Sequence, residues 1–179
     1  MNKILVVTNS QRILDFLVKN PGKEFLSREI QKATKTSKAG TNFALNDLVK
    51  AKFVKREKRG KFYLYSIDST SPVAKQLKIL KTVISLSPLI KKVRNSAKKI
   101  ILYGSKSRGE DTEDSDIDLF VVTNIPEEIE RVIKKGSISK KIQLTMKTPL
   151  KYVEMETTNP TFYKEIERGI ILWESKDES

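Results

Sequence analysis

The stretch Ile100–Val122 reads IILYGSKSRGEDTEDSDIDLFVV. Apolar runs of strand length stand at both ends. Between them come Gly104-Ser105 and, after ten further residues, Asp116-Ile117-Asp118. Residues two apart on a strand share a face, so Asp116 and Asp118 are expected to project together while Ile117 and Leu119 enter a core. Two carboxylates held that close repel, and the pair must either take up a proton or share a cation. A hard-oxygen site with room for water and phosphate suits Mg²⁺. Tyr103-Gly104-Ser105 reads as strand, turn and helix start. Gly104 permits close backbone approach, and Ser105 with the free N–H groups of the turn is placed to hold a phosphate. Lys106 and Arg108 lie in the same turn, within reach of further phosphate oxygens or a leaving pyrophosphate. An Asp-rich loop alone is commonly a solvated turn, and Gly-Ser alone is common after a strand. The two in this order on one strand-loop-strand unit are far more specific.

That pairing resembles the signature of the polymerase-β-like nucleotidyltransferase superfamily, and most closely its minimal nucleotidyltransferase branch. The resemblance implies that Asp116 and Asp118 are metal ligands and catalytic residues, and that Gly104 and Ser105 bind the triphosphate. It also implies passage of a nucleoside monophosphate from a triphosphate, ATP above all, to a hydroxyl acceptor with loss of pyrophosphate. Metal and positioning supply the chemistry without a protein nucleophile. One departure stands out. Active members usually carry a third carboxylate on a later strand, and the strand expected over Lys141–Lys147 offers Gln143 and Thr145 opposite its apolar face of Ile142, Leu144 and Met146. Neither can deprotonate a hydroxyl. Glu154 and Glu156 are the nearby acids, although, like Glu127, Glu128 and Glu130, they fit plain helix-surface charge.

Toward the amino terminus, Ile13, Leu14, Leu17 and Val18 recur at helical spacing and stop at Asn20-Pro21-Gly22. A second short helix fits Ser27 to Ala33, with Ser27 as cap. A third fits Ser37 to Lys50, with Ala44, Leu45, Leu48 and Val49 on one face and Lys38, Thr41, Asn42 and Asn46 on another. Phe53–Arg56 and Lys61–Tyr65 then read as a β-hairpin whose tip, Glu57-Lys58-Arg59-Gly60, is basic. This order resembles the winged helix-turn-helix domains. The resemblance implies binding of double-stranded DNA, with Thr41, Asn42 and Asn46 at base edges, Lys38 on phosphate, and the wing residues Lys55, Arg56, Lys58, Arg59 and Lys61 along the backbone or minor groove.

The expected architecture is therefore α+β: a winged helix-turn-helix over 1–70, a helical linker over 71–97, and a small mixed-sheet nucleotidyltransferase domain over 98–179. Charge agrees with this division. Residues 1–71 hold 15 Lys and Arg against 6 Asp and Glu, whereas residues 72–179 hold 20 against 16. Most of the formal charge of +13 thus falls on the first part, as a nucleic-acid footprint requires. Basic pairs such as Lys91-Lys92 and Lys140-Lys141 in the second part fit helix ends or an acidic acceptor. Cysteine and histidine are both absent from the 179 residues, which removes disulfides, thiolate metal sites, cysteine nucleophiles and the usual zinc chemistry. The Ile4–Val7 run is too short for a signal-peptide core, and no apolar stretch approaches a membrane span, so a cytoplasmic protein is expected.

In the linker, Val73, Leu77, Leu80 and Ile84 recur at helical spacing, and Pro88 is read as starting a further helix. That apolar face is a reasonable homodimer seam, with packing on the neighbouring sheet as the other option. Near the carboxyl end, Asn159-Pro160 leads a helix through Arg168, Gly169 ends it, and Ile170–Trp173 closes a sheet. Two functions follow. One is a transferase acting on a protein or RNA hydroxyl and coupled to DNA binding. Resemblance to antitoxins that adenylylate a HEPN-type toxin gives it a toxin-antitoxin setting. The alternative is a DNA-binding transcriptional regulator whose degenerate nucleotidyltransferase domain senses a nucleotide.

Overall fold

The computed structural model describes residues 8–68, 70–112, 114–136 and 141–175. The Ile4–Val7 run, Glu113 and Lys140 fall outside them. The chain divides into two compact units, Met1–Lys78 and Ile79–Ser179.

In the first unit, helix α1 (Asn9–Lys19) opens on a capping box: the Thr8 hydroxyl accepts from the Gln11 N–H, and the Gln11 amide oxygen accepts from the Thr8 N–H. Strand β1 (Phe25–Leu26), helices α2 (Ser27–Thr34) and α3 (Lys38–Lys50), and strands β2 (Val54–Arg59) and β3 (Phe62–Ile67) follow. The strands form an antiparallel sheet of order β1-β3-β2. The periodic apolar residues meet as read, with Ile13, Leu17, Ile30, Leu45, Val54, Tyr65 and Ile67 in one core. Ser27, expected as the α2 cap, does not cap it. The Leu26 N–H donates instead to the Glu29 carboxylate, and the Ser27 hydroxyl donates to Asn42. The hairpin strands run further than read and close through Gly60, whose φ of +60° suits a tight turn.

Helix α4 (Pro72–Val93) is continuous through Pro88, so the expected second helix does not start there. A proline inside a helix costs about 3 kcal/mol. Here Leu86, Leu89, Ile90 and Val93 are all buried in the second unit's core, and each such side chain contributes about 1.5–3 kcal/mol. The Ser87 hydroxyl also donates to the Val83 carbonyl one turn back.

The second unit continues with β4 (Lys99–Tyr103), α5 (Gly104–Arg108), β5 (Ile117–Val122), α6 (Pro126–Lys134), β6 (Ile142–Lys147), α7 (Pro149–Thr158), α8 (Pro160–Glu167) and β7 (Ile170–Glu174). Its sheet has the order β6-β5-β4-β7. It is mixed, since β5 and β6 are parallel and the other pairs antiparallel. Strand alternation sorts the side chains between two cores. Ile100, Leu102, Leu119 and Val121 pack with α4 and with Ile129 and Ile133 of α6. Ile101, Tyr103, Phe120 and Val122 pack with Met155 of α7 and Phe162 and Ile166 of α8. Trp173 packs at the border of the first of these cores with the Arg94 guanidinium 5.4 Å from its ring. At Gly169 a Cβ would come within 2.6 Å of the Leu102 carbonyl, so the turn into β7 has no room for a side chain. No helix among the described residues is long and apolar enough to cross a membrane.

Candidate active site

Two strands and one glycine build the site. Asp118 stands on β5 opposite Tyr103 of β4 and in register with Gln143 of β6. It shares its face of the sheet with Phe120 and Val122, so it points to the side covered by α7 and α8. Gly104 follows Tyr103 with φ +70°, and a Cβ there would run into the Asp118 carboxylate. Only glycine lets the backbone turn that closely over the acid. Asp116 is exposed, one residue before β5. Burial pushes the Asp118 carboxyl above its ordinary range, and the charges of Asp116 and then Glu165 push it further. Lys106 and Arg108 pull it back.

Ser105, Lys106 and Arg108 follow Gly104 on α5. Ser105 is half-buried in α5, and the buried Ser107 hydroxyl donates to the Gly104 carbonyl at 2.8 Å, bracing the turn. Gly109 ends α5 in the left-handed conformation. Lys106 lies 3.3 Å from Asp111, with both side chains largely buried at 13% and 14% exposure. Arg108 pairs with Glu110 at 3.0 Å on the surface. Both cations thus carry a carboxylate that a bound phosphate would have to replace or share.

On β6, where a third carboxylate was expected by resemblance, the groups are neutral. Gln143 is exposed beside Asp118, and the Thr145 hydroxyl shares a hydrogen bond with the Tyr103 hydroxyl at 3.3 Å. Glu154 and Glu156 are exposed on α7. The acid that the sequence reading missed is Glu165. On α8, Phe162 sets its ring edge-on to Tyr103 at 5.8 Å, and Ile166 is fully buried beneath. Glu165, three residues beyond Phe162, therefore lies on the side of the helix that meets Tyr103. Its charge bears on Asp118 and also on Tyr103, whose hydroxyl is raised by burial and by Asp118 and Glu165 against the opposing Thr145 bond. A glutamate three residues after an aromatic on a helix with a buried seam was the available signal.

Among the described residues no three acidic, histidine or cysteine side chains gather closely enough to hold a metal by themselves. The chain's own donors are therefore the two aspartates. A repelling pair of hard oxygens, roofed by a glycine with no Cβ, fits a divalent cation whose other ligands are water and phosphate.

The family model for "Polymerase beta, Nucleotidyltransferase" matches residues 86–178, just over half of the chain. The chain belongs to the polymerase β nucleotidyltransferase family. Nucleotidyl transfer is the chemistry of that family, and its members typically use a divalent metal. Among solved structures the chain is similar to the hypothetical protein PyrSV_gp04 from Pyrobaculum spherical virus, at 16% identity over 78% of this chain and 75% of that one, with a TM-score of 0.29. No curated protein matches it.

The expected DNA-contacting residues of the first unit separate into groups. Lys38, Asn42 and Asn46 are exposed along α3, with Asn42 held by the Ser27 hydroxyl. Thr41 is a correction: it is 0% exposed, bonded to the Ser37 carbonyl and the Thr36 hydroxyl, and it closes the start of α3 rather than facing outward. Phe43, which the polar reading passed over, is 73% exposed on the same helix. In the hairpin, Lys55 pairs with Asp68, and Arg59 pairs with Glu24 and Glu57. Arg56 lies over the Tyr63 ring, while Lys58 and Lys61 are exposed and make no ion pair among the described residues.

Proposed function

We propose that this family member is a Mg²⁺-dependent transferase that moves a nucleoside monophosphate from ATP to a hydroxyl of a protein or RNA acceptor, and that its first unit binds double-stranded DNA. The observation that carries the reading is the Gly104 turn seated on Asp118, whose carboxyl also feels the charge of Asp116. Asp116 and Asp118 would hold a divalent cation, which would supply charge neutralisation on the triphosphate and orientation of its α-phosphate. Ser105 and the turn hold phosphate oxygens, and Lys106 and Arg108 exchange part of their contact with Asp111 and Glu110 for the departing pyrophosphate. The acceptor oxygen bonds to the α-phosphorus as the bond to pyrophosphate breaks. Its proton goes to Glu165, the other acid besides Asp116 whose charge bears on Asp118, with Tyr103 and Thr145 forming the polar floor beneath.

For the first unit, the sheet order β1-β3-β2 packed with three helices and the exposed basic hairpin support a winged helix-turn-helix. Of the α4 face read as a homodimer seam (Val73, Leu77, Leu80 and Ile84), Val73 and Leu80 are exposed, whereas Ile84 is half-buried and Leu77 packs against the first unit's core. An antitoxin that modifies a HEPN-type partner is the setting that best joins the two activities. Gln143 at the register position beside Asp118 favours a second reading, a regulator that binds nucleotide without turning it over. Calorimetric titration with Mg²⁺ and a non-hydrolysable ATP analogue tests the shared part of both readings. Wild-type chain is expected to bind and the Asp116→Asn/Asp118→Asn variant to bind nothing. Equal binding by both would remove the aspartates from the site.

A further inference from the structure

The two faces of the hairpin differ in charge. Register pairs of an antiparallel ladder share a face, so Val54 with Ile67, Arg56 with Tyr65, and Lys58 with Tyr63 lie on one side. Lys55 with Ser66, Glu57 with Leu64, and Arg59 with Phe62 lie on the other. Val54, Tyr65 and Ile67 are buried in the first unit's core, which makes the first side the one turned toward the helices. Beyond the core, at the hairpin's outer end, that side carries Arg56, Lys58 and Tyr63, all exposed.

On the outward side the cations are spent within the fold. Lys55 meets Asp68 at 3.0 Å, and Arg59 meets Glu24 at 2.9 Å and Glu57 at 3.1 Å. Hydrogen bonds from Thr70, together with Lys55, hold the Asp68 carboxyl down at about 2, so this pairing persists at neutral pH. On the helix side no carboxylate pairs with Arg56 or Lys58 among the described residues. The Arg56 guanidinium sits instead 4.9 Å from the Tyr63 ring centroid. A guanidinium held over a ring still has N–H donors for an acceptor, and it is held in place at little entropic cost.

We infer that the helix-side face of the hairpin, Arg56 and Lys58 over Tyr63, is the surface that grips the phosphodiester backbone of double-stranded DNA, and that Lys55 and Arg59 serve the fold instead. The assignment rests on the DNA-binding reading of the first unit. Charge complementarity identifies the occupant: two unpaired cations, one fixed on an aromatic plane, suit a polyanion with evenly spaced phosphates. An acidic protein is the competing occupant.

The test measures binding of a mixed-sequence 20-base-pair duplex by fluorescence anisotropy over a range of salt, using the full chain. Arg56→Gln/Lys58→Gln is expected to flatten the slope of log affinity against log salt by about 1.8, near 0.9 for each lost phosphate contact. Lys55→Gln/Arg59→Gln should leave that slope unchanged. Tyr63→Leu keeps every charge and should weaken binding about 2- to 5-fold, the loss of an exposed cation–π contact, at unchanged slope. Circular dichroism of each variant confirms the fold before comparison. An equal loss in the two double variants, or a loss only in Lys55→Gln/Arg59→Gln, overturns the face assignment while DNA binding stands. No salt-dependent duplex binding by wild-type chain overturns the DNA reading itself and leaves the acidic protein as the occupant to pursue.

Discussion

The two units handle charge in opposite ways. In the second, one carboxylate is drawn inward: Asp118 is half-buried under Gly104, raised by its own desolvation and by Asp116 and Glu165, and balanced by Lys106 and Arg108. In the first, the excess of cations stays on the surface, and what distinguishes one lysine or arginine from another is which face of the hairpin it occupies. The lesson is physical. Chemistry on a phosphoryl group needs repelling charges held together at a cost in stability. Backbone gripping needs only cations left unpaired.

The largest expected effect lies at Gly104. Gly104→Ala forces a Cβ into the Asp118 carboxylate at a left-handed φ. Transfer should fall on the order of 100-fold or more, as for other displacements of about 1 Å at a reacting centre. Initial rates at saturating nucleotide check this, and near-normal activity would mean that the turn does not shape the site.

Glu165→Gln comes next. Removing a general base costs on the order of 100- to 10,000-fold, and nucleotide affinity should be retained because Asp116, Asp118 and Ser105 remain. A variant with unchanged turnover would exclude Glu165 from the chemistry and return attention to Gln143.

A third change sharpens the contrast through stability. Because the Asp118 carboxyl is raised in the fold, its ionised form weakens the metal-free protein, increasingly so as pH climbs from the unfolded value of 3.8 through the raised one. Asp118→Asn should therefore raise the metal-free melting temperature at neutral pH by a few degrees. A marked fall on calorimetry would make Asp118 a structural partner instead.

A fourth prediction concerns Lys81 on α4, away from the site, whose ammonium burial pushes down to about 8 from 10.5. The unfolded chain holds that proton more tightly, so stability should rise as pH moves from about 8 to 10.5. Lys81→Met should flatten that rise in denaturation profiles, and an unaltered profile would assign the pH dependence to other groups.

How much of this was legible in the sequence differs between the units for the same reason. Gly104 and the Asp116/Asp118 pair were readable because a positive φ and a two-residue repeat are local demands that few other residues satisfy. Glu165 was not readable. Its place beside Tyr103 depends on how Phe162 and Ile166 seat α8 on the sheet, a contact between elements distant in the chain. Pro88 misled because a local stop signal was outweighed by the burial of Leu86, Leu89, Ile90 and Val93. Thr41 misled for a related reason: its polarity suggested the surface, but its hydroxyl finds partners in Ser37 and Thr36 and can be buried. In the hairpin the cations were plain, whereas their division between faces came from the register and from acids as far away in sequence as Glu24.

The most direct test of the central claim is transfer from nucleoside triphosphates labelled at the α-phosphate into host lysate, with Mg²⁺, comparing wild-type chain with Asp116→Asn/Asp118→Asn. The account predicts label on a discrete protein or RNA with the wild type, lost in the variant and on chelation of the metal. No label from any nucleotide, or equal labelling by both chains, would contradict it.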